Sequence, residues 1–383
     1  MPRPQSVPGR RRVPGRASVW CALAATVPGA AFPGCATAEP SEDAAPRVSS
    51  SVTVSPTDSP AHRPVTATAT ATANRASATH ITFNGREAVR LTDGRTEAVI
   101  VPSVGRLMRY GLVGGENWLW NAPPRPPNYG GWVNHGGDKT WPSPQDHWGD
   151  LGSRNNGWPP PAAWDGQVHW FEIVGEGTVS PTLRTISRTA PGSEARVIRE
   201  YRYENEELVV SNTAEKLTGP PAEFGLWTIA QIPFVQAVYV PLNPDSPYKN
   251  NWLFIGEKRP EMKVRNLSPT LLEIVPGIYV PGKGPKIGAD SPVSTIVAVD
   301  KGWALKLTSD QPKGEYPDKC PVQIYVNGNR TEPYVELELL SPLRKWIPGS
   351  TWTHTVRWSL TPLESKSLVD PALLADVQAL LRR

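Results

Sequence analysis

The sequence predicts an all-β protein, a large antiparallel β-sandwich with a short C-terminal helix. Three observations carry that expectation. From about residue 80 onward, runs of alternating or β-branched residues recur between Gly, Pro and Asn. No stretch of helical periodicity alternates with those runs, which argues against a βαβ arrangement. A single amphipathic segment stands at the end of the chain.

Each element has its own signal. "TEAVIVPSV" (96–104) and "LMRYGLV" (107–113) are short apolar runs rich in β-branched residues. "EARVIREYRYE" (194–204) and "EELVVSNTAEKL" (206–217) flank an Asn-Glu turn and predict a hairpin. Strand alternation places Val197, Arg199, Tyr201 and Tyr203 on one face of it. Further strands are expected at 225–234, 294–300, 303–309, 322–327, 334–340 and 351–360. In "DPALLADVQALLR" (370–382), Asp370 is placed to cap a helix whose first turn begins at Pro371. Leu373, Leu374, Val377, Leu380 and Leu381 form the stripe that would pack it on the sandwich.

The chain has 383 residues, and its first 79 read differently. Residues 1–34 hold five Arg and no acid, followed by the apolar run "VWCALAATVPGAAF". This is the pattern of an export signal. "FPGC" places Cys35 where a lipobox cysteine would be modified, and the alternative is plain cleavage near Ala38. Residues 35–79 are expected to be a disordered Ala/Thr/Ser/Pro tether, because 36–79 lack Leu, Ile, Phe, Tyr, Trp and Met. The folded domain is then 80–383. The protein is expected to be exported, either displayed at the cell surface as a lipoprotein or secreted, and to meet a membrane only through that lipid anchor. Loss of residues 1–34 takes five positive charges from a formal +4 and leaves the rest near −1. That removes the electrostatic case for a nucleic-acid partner. Cys320 would be the lone thiol of the domain, a buried small side chain with no disulfide.

The stretch 114–165 does not alternate and is crowded with Trp and Pro, as a functional loop would be. Its densest part is "WVNHGGDKTWPSPQDHWGD" (132–150). Sugars present apolar C–H faces and a rim of hydroxyls, so aromatic rings beside hydrogen-bonding groups suit them. Trp141 and Trp148 alternate with Asp138, Lys139, Gln145 and His147, with Asn134 and His135 just upstream. Gly136 and Gly137 would let the backbone approach a ligand, and Pro142 and Pro144 would stiffen the loop. The bland alternative is a loop whose rings plug the sandwich. A metal site from Asp138, Asp146, His147 and Asp150 matches no standard ligand spacing, so none is assigned, and no cofactor is implied. Lys286, in "GPKIGADS", is either a solvated loop lysine or a group directed at the site.

Several of these segments resemble the galactose mutarotase-like (aldose 1-epimerase-like) superfamily. "VNHGGDKTW" resembles its Asn-…-His-Gly-Gly segment, "DGRTEAVIVPSVGRLMRYGLVGGENWLW" its first hairpin, and "YVELELLSPLRKWIPGSTWTHTVRWSL" its closing strands. The blocks "GGDKTWPSPQ" (136–145), "KIG" (286–288) and "ELE" (336–338) are similar to those of an uncharacterised bacterial family within it. The resemblance spans roughly 80–362 and implies a supersandwich with a sugar site on one sheet and a carbohydrate partner; a monomer is expected. It also implies a Glu that takes the anomeric proton and a His that protonates the ring oxygen. Glu336 and Glu338 share one face of a strand and are the candidate bases, with Glu223 as a further inward candidate. The family's catalytic His segment has "EFGLWTIAQI" (223–232) as its counterpart, which contains no His. That leaves His135 or His147 as the acid, a different chemistry such as a lyase or hydrolase, or binding alone. The competing classes are thus a carbohydrate-active isomerase, a non-catalytic cell-surface carbohydrate-binding protein, and a structural sandwich with a packed Trp loop.

Overall fold

The computed structural model describes residues 75–382 except 126–130, 152–156, 191–193, 257–260 and 279–283. The export signal, Cys35 and the tether up to residue 74 lie outside the described residues. Among those described, the strands form two antiparallel sheets of eleven and ten strands.

The first sheet runs β1 (Ser77–Phe83), β2 (Arg86–Thr92), β3 (Thr96–Val101), β4 (Arg106–Leu112), β5 (Asp138–Ser143), β10 (Ala222–Ile232), β19 (Tyr334–Leu340), β18 (Val322–Asn327), β15 (Lys286–Ala289), β12 (Trp252–Ile255), with β20 (Arg344–Trp346) also paired to β10. The second runs β13 (Lys263–Ser268), β14 (Leu271–Val275), β11 (Ala237–Pro241), β16 (Ser294–Asp300), β17 (Trp303–Ser309), β21 (Thr351–Pro362), β9 (Glu207–Lys216), β8 (Ala195–Glu204), β7 (Thr182–Ile186), β6 (Trp170–Val174). The large antiparallel sandwich expected from the alternating runs is present. Its first strand begins at Ser77, so the last residues assigned to the tether belong to the domain.

The hairpin β8–β9 shows how the pattern works. Buried and half-buried residues alternate along β8, with Val197, Arg199, Tyr201 and Tyr203 inward. Asn205 and Glu206 both take positive φ (50° and 65°), the geometry of a two-residue hairpin turn that matches strand twist. The intersheet core joins Val89, Leu91, Ile100 and Tyr110 of the first sheet to Tyr201, Val210, Leu305 and Trp358 of the second. Tyr110 donates its hydroxyl to the Trp358 carbonyl at 3.1 Å across that layer. Helix α1 (Pro371–Arg382) is capped by Asp370, which accepts from the Ala372 N–H at 2.9 Å. It buries Leu373, Val377 and Leu380 with Ala237, Tyr239, Val297 and Val299 on the outer side of the second sheet.

The stretch read as a long functional loop contains a central strand instead. β5 pairs with β10 along its whole length, Asp138 opposite Ala230 through Ser143 opposite Gly225. Its six residues are all buried, so no polar face marks it in the sequence. The glycines before it serve the chain itself. A Cβ on Gly136 would stand 2.2 Å from the Trp120 carbonyl oxygen, and one on Gly137 2.4 Å from that of Leu107. Both have positive φ (81° and 72°), so the close approach they allow is to neighbouring backbone and not to a ligand.

Candidate functional site

Strand alternation splits the expected site residues between two faces of the first sheet. Asp138 and Thr140 point into the intersheet layer. There Asp138 pairs with the Arg199 guanidinium, which also donates from Nε to Asn212 Oδ1 at 2.8 Å. Thr140 donates to that same Asn212 oxygen at 2.8 Å. Asp138 therefore holds the two sheets together, and the ligand contact expected of it has no opening to act through. Lys139 and Trp141, one residue further along in each case, project from the opposite, outer face.

On that outer face the register gathers a row of polar groups. Directly opposed residues of antiparallel strands share a face. Gln231 of β10 faces Glu336 of β19, which faces Tyr325 of β18, which faces Lys286 of β15. Lys139 lies across from Ile229, Ile229 from Glu338, and Glu338 from Gln323. Trp141 lies across from Trp227.

The charges in this row pair off. Lys139 Nζ lies 3.2 Å from Glu336 Oε1, which also accepts from Gln231 Nε2 at 2.8 Å. Lys286 Nζ lies 2.7 Å from Glu338 Oε2, which also accepts from Trp227 Nε1 at 2.7 Å. Each ammonium sits over an indole, Lys139 over Trp141 at 4.5 Å and Lys286 over Trp227 at 4.2 Å. Glu338 is wholly buried, and among the described residues its Oε1 has no hydrogen-bond partner. Burial raises its carboxyl to about 7, against the opposing pull of Lys286. Burial likewise lowers the Lys139 ammonium, and Glu336 resists that shift. The side chains of Glu336 and Lys286 keep slight exposure (12% and 11%), so the row reaches the surface there.

A second buried pair closes one end of the row. Arg106 of β4 pairs with Asp165 and donates to the Gly136 carbonyl at 2.7 Å. Asp165 also accepts from Trp132 Nε1 at 2.5 Å. Burial would raise the Asp165 carboxyl, but Arg106 and Lys139 hold it below the ordinary range. The half-buried His135 belongs to this end. Burial, with Arg106 adding to it, depresses its imidazole to about 4. Among the described residues neither Glu336 nor Glu338 has a histidine partner, so the pairing of glutamate base and histidine acid is not formed.

The remaining candidates serve the loop. Trp148 is fully buried and donates to the Pro142 carbonyl at 2.7 Å, so no sugar can stack on it. It belongs to an indole cluster with Trp132, Trp141, Trp158 and Trp227, whose ring centroids lie 4.9–6.5 Å apart in the contacts made. Trp132 and Trp158 are its half-buried members. Asn134 accepts the Gly136 N–H at 3.2 Å, and Gln145 donates to the Gly157 carbonyl at 3.2 Å. His147 is exposed beside Phe224, with ring centroids 6.1 Å apart. Glu223, considered as an inward base, is exposed opposite Lys345. Cys320 is a free buried thiol. The sequence reading missed Trp227 and Gln231, although both lie in the strand expected at 225–234 and alternation puts them on one face. Arg106 and Asp165 are 59 residues apart and carried no signal at all.

No family model matches the chain. A 44-residue stretch is 46% identical to the large ribosomal subunit protein uL10 of Halorhodospira halophila, covering 12% of this chain and a quarter of that protein's length. Among solved structures, a TPR-domain containing protein from Parabacteroides distasonis is similar over 75% of this chain, with 15% identity and a TM-score of 0.49. The chain spans about half the length of that protein. A galactose mutarotase-like protein from Lactobacillus casei is similar over 72% of this chain and all of its own, at 11% identity and a TM-score of 0.46. A galactose mutarotase related enzyme from Lactobacillus acidophilus is similar over 73% of this chain and all of its own, at 12% identity and a TM-score of 0.41. Likenesses at these scores assign neither a family nor an activity.

Proposed function

We propose that this chain is an exported carbohydrate-binding protein of the galactose mutarotase-like superfamily, with its site on the outer face of the first sheet. The observation that carries this reading is the row Lys139, Glu336, Glu338 and Lys286, interleaved with Trp141 and Trp227. A sandwich needs no charges on that face. Burying two ion pairs there costs desolvation that apolar residues would avoid. Hydroxyl-rich ligands supply what such a row can use, namely donors for carboxylates, acceptors for ammonium groups and C–H faces for indoles. Glu336 and Lys286 would meet the ligand first, with Trp132 or Trp158 covering an apolar sugar face. The sequence blocks "GGDKTWPSPQ", "KIG" and "ELE" support the same reading, since they bring Lys139, Lys286, Glu336 and Glu338 to one surface.

A second reading is an isomerase acting on the anomeric carbon. What favours it is Glu338, a carboxyl poised near neutral pH with one oxygen unpartnered. A proton donor other than histidine would then have to serve the ring oxygen.

Titration with monosaccharides, uronates and cell-wall oligosaccharides, followed by tryptophan emission and melting temperature, tests binding. Glu336→Gln should weaken a binding sugar about tenfold or more. If no sugar in the panel changes emission or melting temperature, the binding reading fails. Polarimetry of a freshly dissolved anomer tests catalysis, and a rate unchanged by Glu338→Gln would remove the isomerase.

A further inference from the structure

The geometry points to a small-oxyanion site in the gap between the two sheets beside β20. A cavity of about 130 Å³ opens there. Arg344, Lys345 and Trp346 line it from the first sheet, and Ser350, Thr351 and Trp352 from the start of β21. A water occupies roughly 30 Å³ in the liquid, so the gap exceeds a single water.

Its lining is rich in donors and lacks acidic groups. The Arg344 guanidinium lies over the Trp352 ring at 4.2 Å, and among the described residues its buried Nε has no acceptor. Trp346, only 3% exposed, has an indole N–H without an acceptor. Lys345, between them on β20, alternates to the opposite face and is exposed. Glu223 stands across from it in the β10–β20 register and is exposed as well. Two other polar groups of the lining are already engaged. Trp352 Nε1 donates to Ser341 Oγ at 3.0 Å, and Ser350 Oγ accepts the Ile347 N–H at 3.1 Å.

Buried donors without acceptors are rare in folded proteins and call for a water or an ion. Here two of them, Arg344 Nε and Trp346 Nε1, stand on residues that line one gap, and the Arg344 guanidinium has no ion-pair partner among the described residues. A ligand that only accepts hydrogen bonds and carries negative charge satisfies both donors and the guanidinium charge. An arginine whose guanidinium is held over an indole can bind such a group through two parallel N–H bonds. The chemistry common to the candidates is an oxyanion, either a free inorganic ion or a sulfate or carboxylate carried on a larger molecule. This site uses none of the charged residues of the sheet-face row and stands or falls without it.

Sodium phosphate and sodium sulfate, titrated at constant ionic strength against sodium chloride, should each give a saturable rise in melting temperature and a change in tryptophan emission. Arg344→Gln should weaken the phosphate response at least tenfold. Trp346→Phe, which keeps the ring packing and removes the N–H, should weaken it severalfold and serves if the arginine variant does not fold. A phosphate response no larger than that of chloride, or one unchanged in both variants, would mean that water fills the gap and would overturn the site. A sulfated or uronate oligosaccharide that competes with phosphate and binds more tightly would assign the oxyanion to a larger ligand. Weaker competition would assign it to the free ion.

Discussion

The outer faces of the two sheets use similar residues to different ends. On the second sheet, Arg184 bridges Glu172 and Glu200 at 2.8 Å each, and Glu204 joins Arg202 at 2.6 Å to Arg357 at 3.1 Å. Thr213 and Thr353 share a hydrogen bond of 2.8 Å between them. These side chains keep about a third of their surface in water (30–39% for the ion-paired groups). On the first sheet, Lys139–Glu336 and Lys286–Glu338 are almost entirely withdrawn from it. A solvated ladder is an ordinary way to finish a sheet and adds little stability. A withdrawn pair must offset a large desolvation cost, and each partner then depends on the other. The contrast teaches that the location of a charge, more than its presence, marks the candidate site.

That contrast can be broken by mutation. The largest effect is expected at Lys286→Met, which strands a buried carboxylate. At pH 8 it should cost about 3–5 kcal/mol in denaturant unfolding. The Glu338 carboxyl has a folded value near 7, above its ordinary 4.5. Its favourable contribution is therefore complete below about pH 4.5 and is lost as pH rises through 7. The penalty of Lys286→Met should shrink accordingly at pH 5. An equal penalty at both values would show that Glu338 is not the group left alone. Asp138→Asn should cost a similar 3–5 kcal/mol through Arg199. A loss of sugar affinity with full stability would instead restore Asp138 as a ligand contact.

Next in size is an acid effect with the opposite sign. Burial depresses the imidazoles of His169 and His354 to about 4, with Arg199 and Arg106 adding to the shift at His169. Their folded values lie below the ordinary 6.5, so the unfolded chain takes up protons first. The stability they contribute is present above pH 6.5 and is lost as pH falls toward 4, by at most about 3 kcal/mol each. Unfolding of His169→Phe at pH 7 and pH 4.5 should show a smaller acid loss than the wild type. Trp148→Phe comes third, at about 1–3 kcal/mol, because it leaves the buried Pro142 carbonyl without its donor. Smallest is Arg184→Ala on the second sheet, at about 1 kcal/mol or less and weaker still in high salt. A loss of several kcal/mol there would erase the difference between the two faces.

Much of the fold was legible along the chain. The hairpin at 194–217, the strands at 294–300, 303–309, 322–327 and 334–340, and the capped helix lie where alternation and capping put them. Each has one face in the core and one toward water or a covering element, and that asymmetry is what a sequence displays. β5 lacked it. Both of its faces are buried, so Lys139 and Asp138 looked like two members of one polar loop when they point to opposite sides of a sheet.

The sequence by itself determined the sandwich, its helix and the residue types available for a site: Lys139, Lys286, Glu336, Glu338 and a surplus of tryptophan. Those follow from local rules, because side-chain period, turn residues and caps act over a few neighbours. Only the tertiary structure decided which lysine meets which glutamate, that Trp227 and Gln231 join them, that Trp148 is sealed in, and that Arg106 finds Asp165. Those pairings depend on the order of strands in a sheet, and strand order is set by packing between segments far apart in the chain.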